Sequence, residues 1–552
     1  MIIKIVIAFF IIIAGLIGIR IVTWPSNPYP RQQANAESIP HFDSIELNFV
    51  HKFNNEKSLP FMGAAIFNLE GNDVQYLFAG GGYNQEDKLF KFAEGQFVDV
   101  SAQAGLQKPA NDTTYGVIAV DANHDGLPDL FVARDSGIYF YENVQGRFNV
   151  KKLDIQIDPR YSPISIASAD LQKKGTVDLY VAAYIKPEFV EGQTIFNKKD
   201  YGAKSLLLKN NGDNTFTDIT DSAGLNYIHN TFQGVFVDLD GDNELDLVVA
   251  HDTGQVRTYK NMGNLTFKYM PNPTSTVYSY PMGIAVGDYN DDGLPDLFFS
   301  NIGPSYWWNF GSTPPGFIVR GDLRKDQTLL RDNIFLKNKG NFQFEDVAKQ
   351  TMTADYEFGW GVIFQDFTND GRQDLVIAQN YIGFPLHKLF RLPGRVLKEL
   401  PNQTYASIEK QANAEDPYFA ISPLSTDFTG NGYPDLLYTN LNGPLKVFLN
   451  NTGGANKFIK IQMPYSPEAL GAVLKLKLTN GKVLTRFFVP TQGLCAYQGN
   501  QIIFGLGKDQ TAELLTVHYM NGTEQTINHP AINSTIHIGK TDSPPEPNGE
   551  KG

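Results

Sequence analysis

The stretch DYNDDGLPD, residues 288–296, places four carboxylates and one amide oxygen within nine positions, directly before the apolar run LFFS. Calcium prefers six to eight oxygen ligands in a flexible geometry, and a Gly at position 6 permits the sharp bend that gathers them around one ion. Without a cation, carboxylates held this close repel one another. The stretch therefore predicts a calcium loop. Its predicted ligands, at positions 1, 3, 5, 7 (backbone carbonyl) and 9, are Asp288, Asn290, Asp292, Leu294 and Asp296.

The same pattern recurs along the chain at intervals of about fifty residues, lengthened by insertions in three places. Further copies start at Asp121, Asp238, Asp366 and Asp427, and two degraded copies start at Asn68 and Asp170. Position 12 of these loops is an apolar residue within a strand-like run, whereas an EF-hand has Glu there and lies between helices. The repeats therefore predict a loop between two strands, closed by the aspartate at position 9.

The quality of the copies is graded, and we expect about four well-formed Ca²⁺ sites and a fifth, weaker one at Asp427, where only two aspartates remain. In the copy at Asp170, Lys174 occupies position 5 and is expected to replace the ion, while the copy at Asn68 is expected to bind nothing. The predicted ligands of the other loops are Asp121, Asn123, Asp125, Leu127 and Asp129; Asp238, Asp240, Asp242, Glu244 and Asp246; Asp366, Thr368, Asp370, Arg372 and Asp374; and Asp427, Thr429, Asn431, Tyr433 and Asp435.

The elements around each loop are short β-strands. Apolar runs such as GVIAV enter the loop and runs such as LFVA leave it, and a second recurring phrase, for example LLLKNNGDNTFTDIT, has Asn and Gly at a hairpin turn. Seven repeats of four strands each are typical of a β-propeller. The predicted fold is all-β: a seven-bladed propeller, a small C-terminal all-β module and an N-terminal hydrophobic helix.

Composition limits the partners. The net charge of −13 over 552 residues disfavours nucleic-acid binding, because phosphate neutralisation needs a basic surface. The single cysteine, Cys495, excludes an intramolecular disulfide and is expected to be a small buried apolar residue.

Residues 1–24 are strongly apolar and are predicted to be a signal anchor or a signal peptide. The bulk of the chain is then extracytoplasmic, either membrane-anchored through this helix in the periplasm or cell envelope, or secreted. A linker is predicted over 25–45 and a disordered tail over 541–552.

The repeats resemble the FG-GAP or VCBS repeats of integrin-α-type propellers, whose DxDxDG loops bind calcium. Residues 468–538, with Leu470–Ala472, IIFGLG and LLTVHYMNGTEQTI, resemble the ASPIC/UnbV domain that follows such repeats in the cartilage acidic protein 1 family. The resemblance implies a propeller over 46–455 and an ASPIC/UnbV-like β domain over 456–540, in a bacterial-type member that lacks the cysteine-rich module of vertebrate relatives.

Two insertions are candidate contact surfaces. Tyr306, Trp307 and Trp308 could stack on a sugar or anchor a protein, or they could cover the end of the propeller. Residues 383–400 carry basic residues at roughly helical spacing and are interpreted as a capping or amphipathic helix, interrupted by Pro393.

The chain contains no GxSxG, HExxH, CxxC, P-loop or GxGxxG motif. We therefore expect no enzyme activity and predict an extracytoplasmic, calcium-binding adhesion or interaction module whose ligand is a protein or a glycan. The alternative is a carbohydrate-active enzyme, of lyase or hydrolase type, that uses the propeller face.

Overall fold

A computed structural model describes residue 15 and residues 27–109, 111–190, 202–303, 329–382, 392–508 and 510–539. The predicted N-terminal helix, apart from residue 15, and the predicted tail lie outside the described residues. Within those ranges, no helix is long and apolar enough to cross a membrane.

The described residues from 42 to 450 form seven sheets built on four antiparallel strands each, numbered here as sheets 1 to 7. Sheet 1 contains β2 (Ala64–Phe67), β3 (Tyr76–Ala79), β4 (Lys88–Ala93) and β5 (Gln96–Asp99). Sheet 2 contains β6 (Thr114–Val120), β7 (Asp129–Arg134), β8 (Gly137–Val144) and β9 (Arg147–Lys152). Sheet 3 contains β10 (Tyr161–Ala169), β11 (Asp178–Ile185), β12 (Leu206–Asn210) and β13 (Phe216–Asp218). Sheet 4 contains β14 (Thr231–Val237), β15 (Asp246–His251), β16 (Val256–Asn261) and β17 (Phe267–Met270).

Sheet 5 contains β18 (Ile284–Gly287), β19 (Asp296–Phe299), β20 (Ile334–Asn338) and β21 (Phe344–Asp346). Sheet 6 contains β22 (Gly359–Gln365), β23 (Asp374–Gln379), β24 (Arg395–Glu399) and β25 (Tyr405–Ser407). Sheet 7 contains β26 (Phe419–Thr426), β27 (Asp435–Leu441), β28 (Pro444–Asn450) and, as its fourth strand, β1 (Phe42–Val50) from the start of the described chain.

Burial falls from the first strand of each sheet to the last. In sheet 2, every residue of β6 and β7 is buried, whereas most of β9 is exposed. Strands that are buried on both faces consist of continuous apolar runs rich in β-branched and aromatic residues. The run TYGVIAV has this composition and forms the fully buried strand β6. The inner strands therefore form the core between sheets, and the fourth strands are partly exposed except β25, which is largely buried.

Consecutive sheets pack through these inner strands: β6 contacts β10, β10 contacts β14, and β22 contacts β26. Sheet 7 also returns to sheet 1, because the ring of Phe428 lies 5.6 Å from that of Phe92 and 5.1 Å from that of Phe97, centroid to centroid. The first and last sheets of the series are thus in direct contact.

The C-terminal region forms two further sheets of three and four strands. Their strands are β29 (Lys457–Gln462), β33 (Gln501–Gly507) and β36 (Ser534–His537), and β30 (Val473–Leu478), β31 (Val483–Phe487), β34 (Ala512–His518) and β35 (Glu524–Asn528). Strands β30 and β31 pair antiparallel as a hairpin. Short 3-10 helices lie at Ala36–Ser38, Pro187–Phe189 and Pro467–Ala469.

One segment of the C-terminal region, residues 489–498, is inserted among the inner strands of four sheets, and we name it the plug. Its strand β32 (Ala496–Tyr497) pairs parallel with β2 of sheet 1. The carbonyl of Thr491 accepts a hydrogen bond from Gln233 of sheet 4, Gly493 bridges Ile284 of sheet 5, and Leu494 N–H donates to Ser422 of sheet 7. Cys495 is buried here, as predicted.

The all-β prediction is confirmed for the described residues. The helix interpretation of residues 383–400 is wrong where it can be checked: Arg395–Glu399 is strand β24, hydrogen-bonded to β23 and β25. The basic residues of this segment suggested a solvated helical face, but Arg395 and Lys398 are buried. Residues 383–391 and the aromatic insertion with Tyr306, Trp307 and Trp308 lie outside the described residues.

Candidate metal sites

Each acidic loop joins the first two strands of its sheet, so the loops at Asp121, Asp170, Asp238, Asp288, Asp366 and Asp427 occupy equivalent places in sheets 2 to 7. The ninth residue of every one of these loops begins the second strand and is completely buried. The repeated sequence pattern is therefore a repeated three-dimensional site, and each loop is named below by its first residue.

The position-9 aspartate holds the sheet together through backbone hydrogen bonds. In loop 238, Asp246 Oδ2 accepts the Leu239 N–H at 2.9 Å, and Oδ1 accepts the N–H of Asn261 on the third strand at 2.8 Å. The third-strand contact recurs in all six sheets, with Asp129, Asp178, Asp246, Asp296, Asp374 and Asp435 as acceptors. This residue therefore closes the loop through hydrogen bonds to the backbone.

The position-1 aspartate caps the turn in the same way. Asp288 Oδ1 accepts the Asp292 N–H at 3.0 Å, and Oδ2 accepts the Gly293 N–H at 3.0 Å. Gly293 at position 6 has φ 83°, a conformation that glycine adopts without strain. In loop 238 the equivalent residue is Asn243 with φ 67°, and asparagine is among the few other residues that tolerate this region.

The predicted position-7 residues share one contact. Their backbone N–H groups donate to the side-chain oxygen at position 5, so each loop contains an Asx turn at this point. The residues concerned are Leu127, Glu244, Leu294, Arg372 and Tyr433.

Burial disfavours the charged form of the closing aspartates. It raises the pKa of Asp246 to about 8 and that of Asp129 to about 7, and it holds the pKa of Asp296 well above its ordinary value. Neighbouring loop carboxylates raise these pKa values further. A divalent cation would therefore stabilise the charged form of these buried aspartates.

Loop 238 fits a cation best among the described residues. Carboxylate oxygens of Asp238, Asp240 and Asp246 lie within 4.8 Å of one another. Asp240 Oδ1 is buried and has no hydrogen-bond partner in the described part of the chain. Calcium takes oxygen ligands at 2.3–2.6 Å, so carboxylates gathered in this way match its donor set.

Loops 121 and 288 share a second arrangement. The side-chain oxygens of Asn123 and Asn290, at position 3, accept the N–H of Asp125 and Asp292 respectively, and each Asn also donates to the second oxygen of that aspartate. The predicted ligands at positions 1, 3 and 5 are thus brought together in both loops.

In loops 366 and 427 a buried lysine contacts an end aspartate. Lys398 Nζ lies 3.0 Å from both Asp370 Oδ2 and Asp374 Oδ1, and Lys460 Nζ lies 2.8 Å from Asp427 Oδ2. Asp366 is buried in the first loop, where it accepts the Gly371 N–H at 2.7 Å. The predicted ligands Thr429 and Asn431 are turned toward neighbours in the second, since Thr429 Oγ1 donates to Asp427 and Asn431 donates to the carbonyl of Asn450.

In loop 170 the expected role of Lys174 is wrong. Its side chain is exposed, and the amide of Gln172 at position 3 instead donates to Asp178 Oδ1 at 3.1 Å. In the Asn68 copy, Asn68 N–H donates to the hydroxyl of Tyr465 in the C-terminal region.

Sequence reasoning missed the third strand, which supplies a residue to each loop. The signal was visible as a recurring Lys-Asn pair at 209–210, 260–261 and 337–338. The Asn donates its backbone N–H to the closing aspartate, and its side chain can reach the preceding sheet: Asn338 Nδ2 donates to the carbonyls of Pro295 and, at 2.9 Å, of Leu239.

Comparisons with known proteins agree with the motifs. The FG-GAP-like repeat family matches residues 121–181 and 238–299, and the ASPIC and UnbV family matches residues 464–545. Cartilage acidic protein 1 of Xenopus tropicalis is 24% identical over 512 residues, which cover 86% of this chain and 73% of that protein. The human protein of the same name is 23% identical over 305 residues, 53% of this chain and 42% of its own length.

Among solved structures, the BP39L lectin from Burkholderia pseudomallei aligns with 72% of this chain and 98% of its own, at 11% identity and a TM-score of 0.43. The family matches cover loops 121, 170, 238 and 288 and every strand of the C-terminal sheets except β29. The chain therefore carries FG-GAP-like repeats followed by an ASPIC and UnbV domain, as its motifs predicted, and is similar to cartilage acidic protein 1.

Proposed function

We propose that the protein is an extracellular interaction module. It is a seven-bladed propeller, stabilised by calcium, that presents a binding surface for a protein or glycan ligand. The observation that carries the calcium part is loop 238, where three carboxylates converge and Asp240 Oδ1 is buried without a partner among the described residues. FG-GAP-repeat proteins and cartilage acidic protein 1 relatives are generally extracellular, which supports the location.

The propeller is proposed from the sheet series. Seven four-stranded sheets pack in sequence through their inner strands, and Phe428 returns the series to Phe92 and Phe97 of the first sheet. Strand β1 completes sheet 7, which ties the start of the described chain to its last repeat. A closed ring of this kind protects sheet edges, so the faces and inserted loops are left for recognition.

Calcium is proposed at loops 121, 238 and 288. When bound, it would supply the positive charge that the buried carboxylates lack, and its role would be structural. In loop 238, Asp238, Asp240 and Asp246 would hold it, with Asp242 at the solvent side. In the two other loops the residues at positions 1, 3, 5 and 9 would do so.

Thermal melting of the calcium-loaded and EDTA-treated protein tests the calcium proposal. We expect chelation to lower the melting temperature and added CaCl₂ to restore it, because an ion that binds only the folded chain stabilises it by mass action. An unchanged melting temperature would contradict calcium binding.

The interaction proposal is tested separately with panels of glycans, polysaccharides and extracellular proteins. Saturable binding to one ligand without its degradation supports it. Degradation of a polysaccharide would instead establish the carbohydrate-active alternative.

A further inference from the structure

In each of sheets 2 to 7, one third-strand residue donates its backbone N–H to the closing aspartate; this donor is Asn in five sheets and Glu399 in sheet 6. The residue just before the donor therefore occupies the same position beside each acidic loop. In sheets 2 to 7 these residues are Glu142, Lys209, Lys260, Lys337, Lys398 and Leu449. The charge placed beside the loop therefore varies from sheet to sheet while the backbone does not.

In sheet 6, the ammonium group of Lys398 lies among the predicted calcium ligands. Its Nζ is 3.1 Å from Thr368 Oγ1, 3.0 Å from Asp370 Oδ2 and 3.0 Å from Asp374 Oδ1, which are positions 3, 5 and 9 of loop 366. The side chain is 1% exposed. An ammonium has three N–H donors and each has one of these acceptors in reach.

A second cation reinforces this arrangement, because Arg372 Nη1 lies 3.0 Å from Asp370 Oδ2. A divalent ion held by the same three oxygens would lie against the buried ammonium, and like charges at that distance repel strongly. The residues of loop 366 therefore do not fit a calcium ion, although their sequence is one of the well-formed copies.

Lys260 and Lys337 pair with middle acids of their loops, whereas Lys398 also pairs with the closing aspartate. Lys260 is 24% exposed and contacts Oδ2 of Asp240 and, at 2.6 Å, Oδ2 of Asp242, so that Asp240 Oδ1 stays without a partner in the described chain. Lys337 Nζ lies 3.9 Å from the nearest oxygen of Asp292. In sheet 2 the position holds an acid, Glu142, which lines one cavity of about 420 Å³ together with Asn123 and His124.

We propose that Lys398 is the built-in cation of loop 366 and excludes calcium from it. The occupancy of the other loops rests on the proposed function, but the role of Lys398 does not. Loop 427, where the third strand offers only Leu449, receives its ammonium from Lys460 of the C-terminal sheets.

The test is Lys398→Met in the full-length protein, stripped with EDTA and titrated with CaCl₂ by calorimetry. Methionine has a similar length and no charge. We expect the variant to bind one more Ca²⁺ per chain than the wild type and to gain more melting temperature from calcium. Lys209→Met is the matched control: it removes a lysine at the same register beside loop 170, which lacks the middle acids, and should gain no ion.

Equal stoichiometry and equal calcium response in Lys398→Met and wild type would overturn the proposal. If the wild type binds no calcium and the variant binds one, the role of Lys398 stands and the proposed function fails. If the wild type binds calcium and the variant binds no additional ion, the proposed calcium binding stands and the role of Lys398 fails.

A second measurement does not depend on the folding of that variant. Anomalous diffraction from wild-type crystals soaked with calcium should show no ion between Asp370 and Asp374, and an ion there would overturn the proposal.

Discussion

Loops 170 and 238 have nearly the same hydrogen bonds at their ends and different residues in the middle. Asp170 accepts the N–H groups of positions 5 and 6 at 3.0 and 2.7 Å, and Asp238 accepts the same two at 3.3 and 2.9 Å. Asp178 and Asp246 both accept the third-strand N–H at 2.8 Å. The end aspartates therefore fold the turn in either loop.

The middle of the two loops carries the difference. Loop 238 has Asp240 and Asp242 at positions 3 and 5, whereas loop 170 has Gln172, whose amide donates to Asp178, and an exposed Lys174. Degradation of the sequence pattern has removed the middle acids and kept the ends. The comparison separates residues that form the turn from residues that would hold an ion, and each role can be tested alone.

The largest expected effect is loss of a closing aspartate. Asp246→Ala leaves the buried N–H groups of Leu239 and Asn261 unpaired, and an unsatisfied buried donor costs about 1–3 kcal/mol. We expect the free energy of unfolding, measured with urea in EDTA, to fall by about 2–6 kcal/mol. Asp178→Ala should also destabilise strongly although its loop lacks the middle acids. A loss seen only in calcium would contradict the turn-forming role.

The next effect concerns the middle acids. In the double variant Asp240→Asn with Asp242→Asn, the turn keeps its end aspartates, so stability in EDTA should change by less than about 1 kcal/mol. The calcium-dependent gain from this loop, about 2.7 kcal/mol when the ion is at 100 times its Kd, should disappear. Urea unfolding with and without calcium checks both values, and a full calcium response in the variant would break the comparison.

A smaller effect is a pH dependence that loop 170 keeps because no cation is proposed there. Burial raises the pKa of Asp178 to about 6 from 3.8, so between those values the folded chain binds more protons than the unfolded chain. Its contribution to stability is present at low pH and is lost as pH rises through 6, by about 1 kcal/mol from pH 5 to pH 7. Asp178→Asn should remove that part of the slope; an identical slope would contradict it.

The sequence predicted the parts of this molecule that are local and repeated. The strand–loop–strand unit follows from apolar runs on either side of Asp288 to Asp296, and seven copies predicted the seven four-stranded sheets that the described residues form. The end aspartates were predicted from the sequence as metal ligands, and their role as acceptors of backbone hydrogen bonds was not predicted.

The sequence could not predict contacts made across repeats or from distant segments. Lys398 lies 28 positions after Asp370 in a stretch whose basic spacing suggested a helix, and only the register of β24 brings it to the loop. The plug is similar: nothing in PTQGLCAYQ indicates that it enters among the inner strands of other sheets. Such placements depend on how sheets pack, which a one-dimensional period does not contain.

The smallest expected effect is that of Lys174→Met. Its position in the pattern suggested an ammonium in place of the ion, but the side chain is exposed, and surface substitutions away from specific contacts change stability by less than about 0.5 kcal/mol. We therefore expect unchanged urea unfolding in EDTA and in calcium. A large loss would mean that the charge at position 5 supports loop 170 after all. Because position 5 is an acid in loop 238 and an exposed lysine here, unchanged unfolding would show that the turn of loop 170 forms without a side-chain charge at this position.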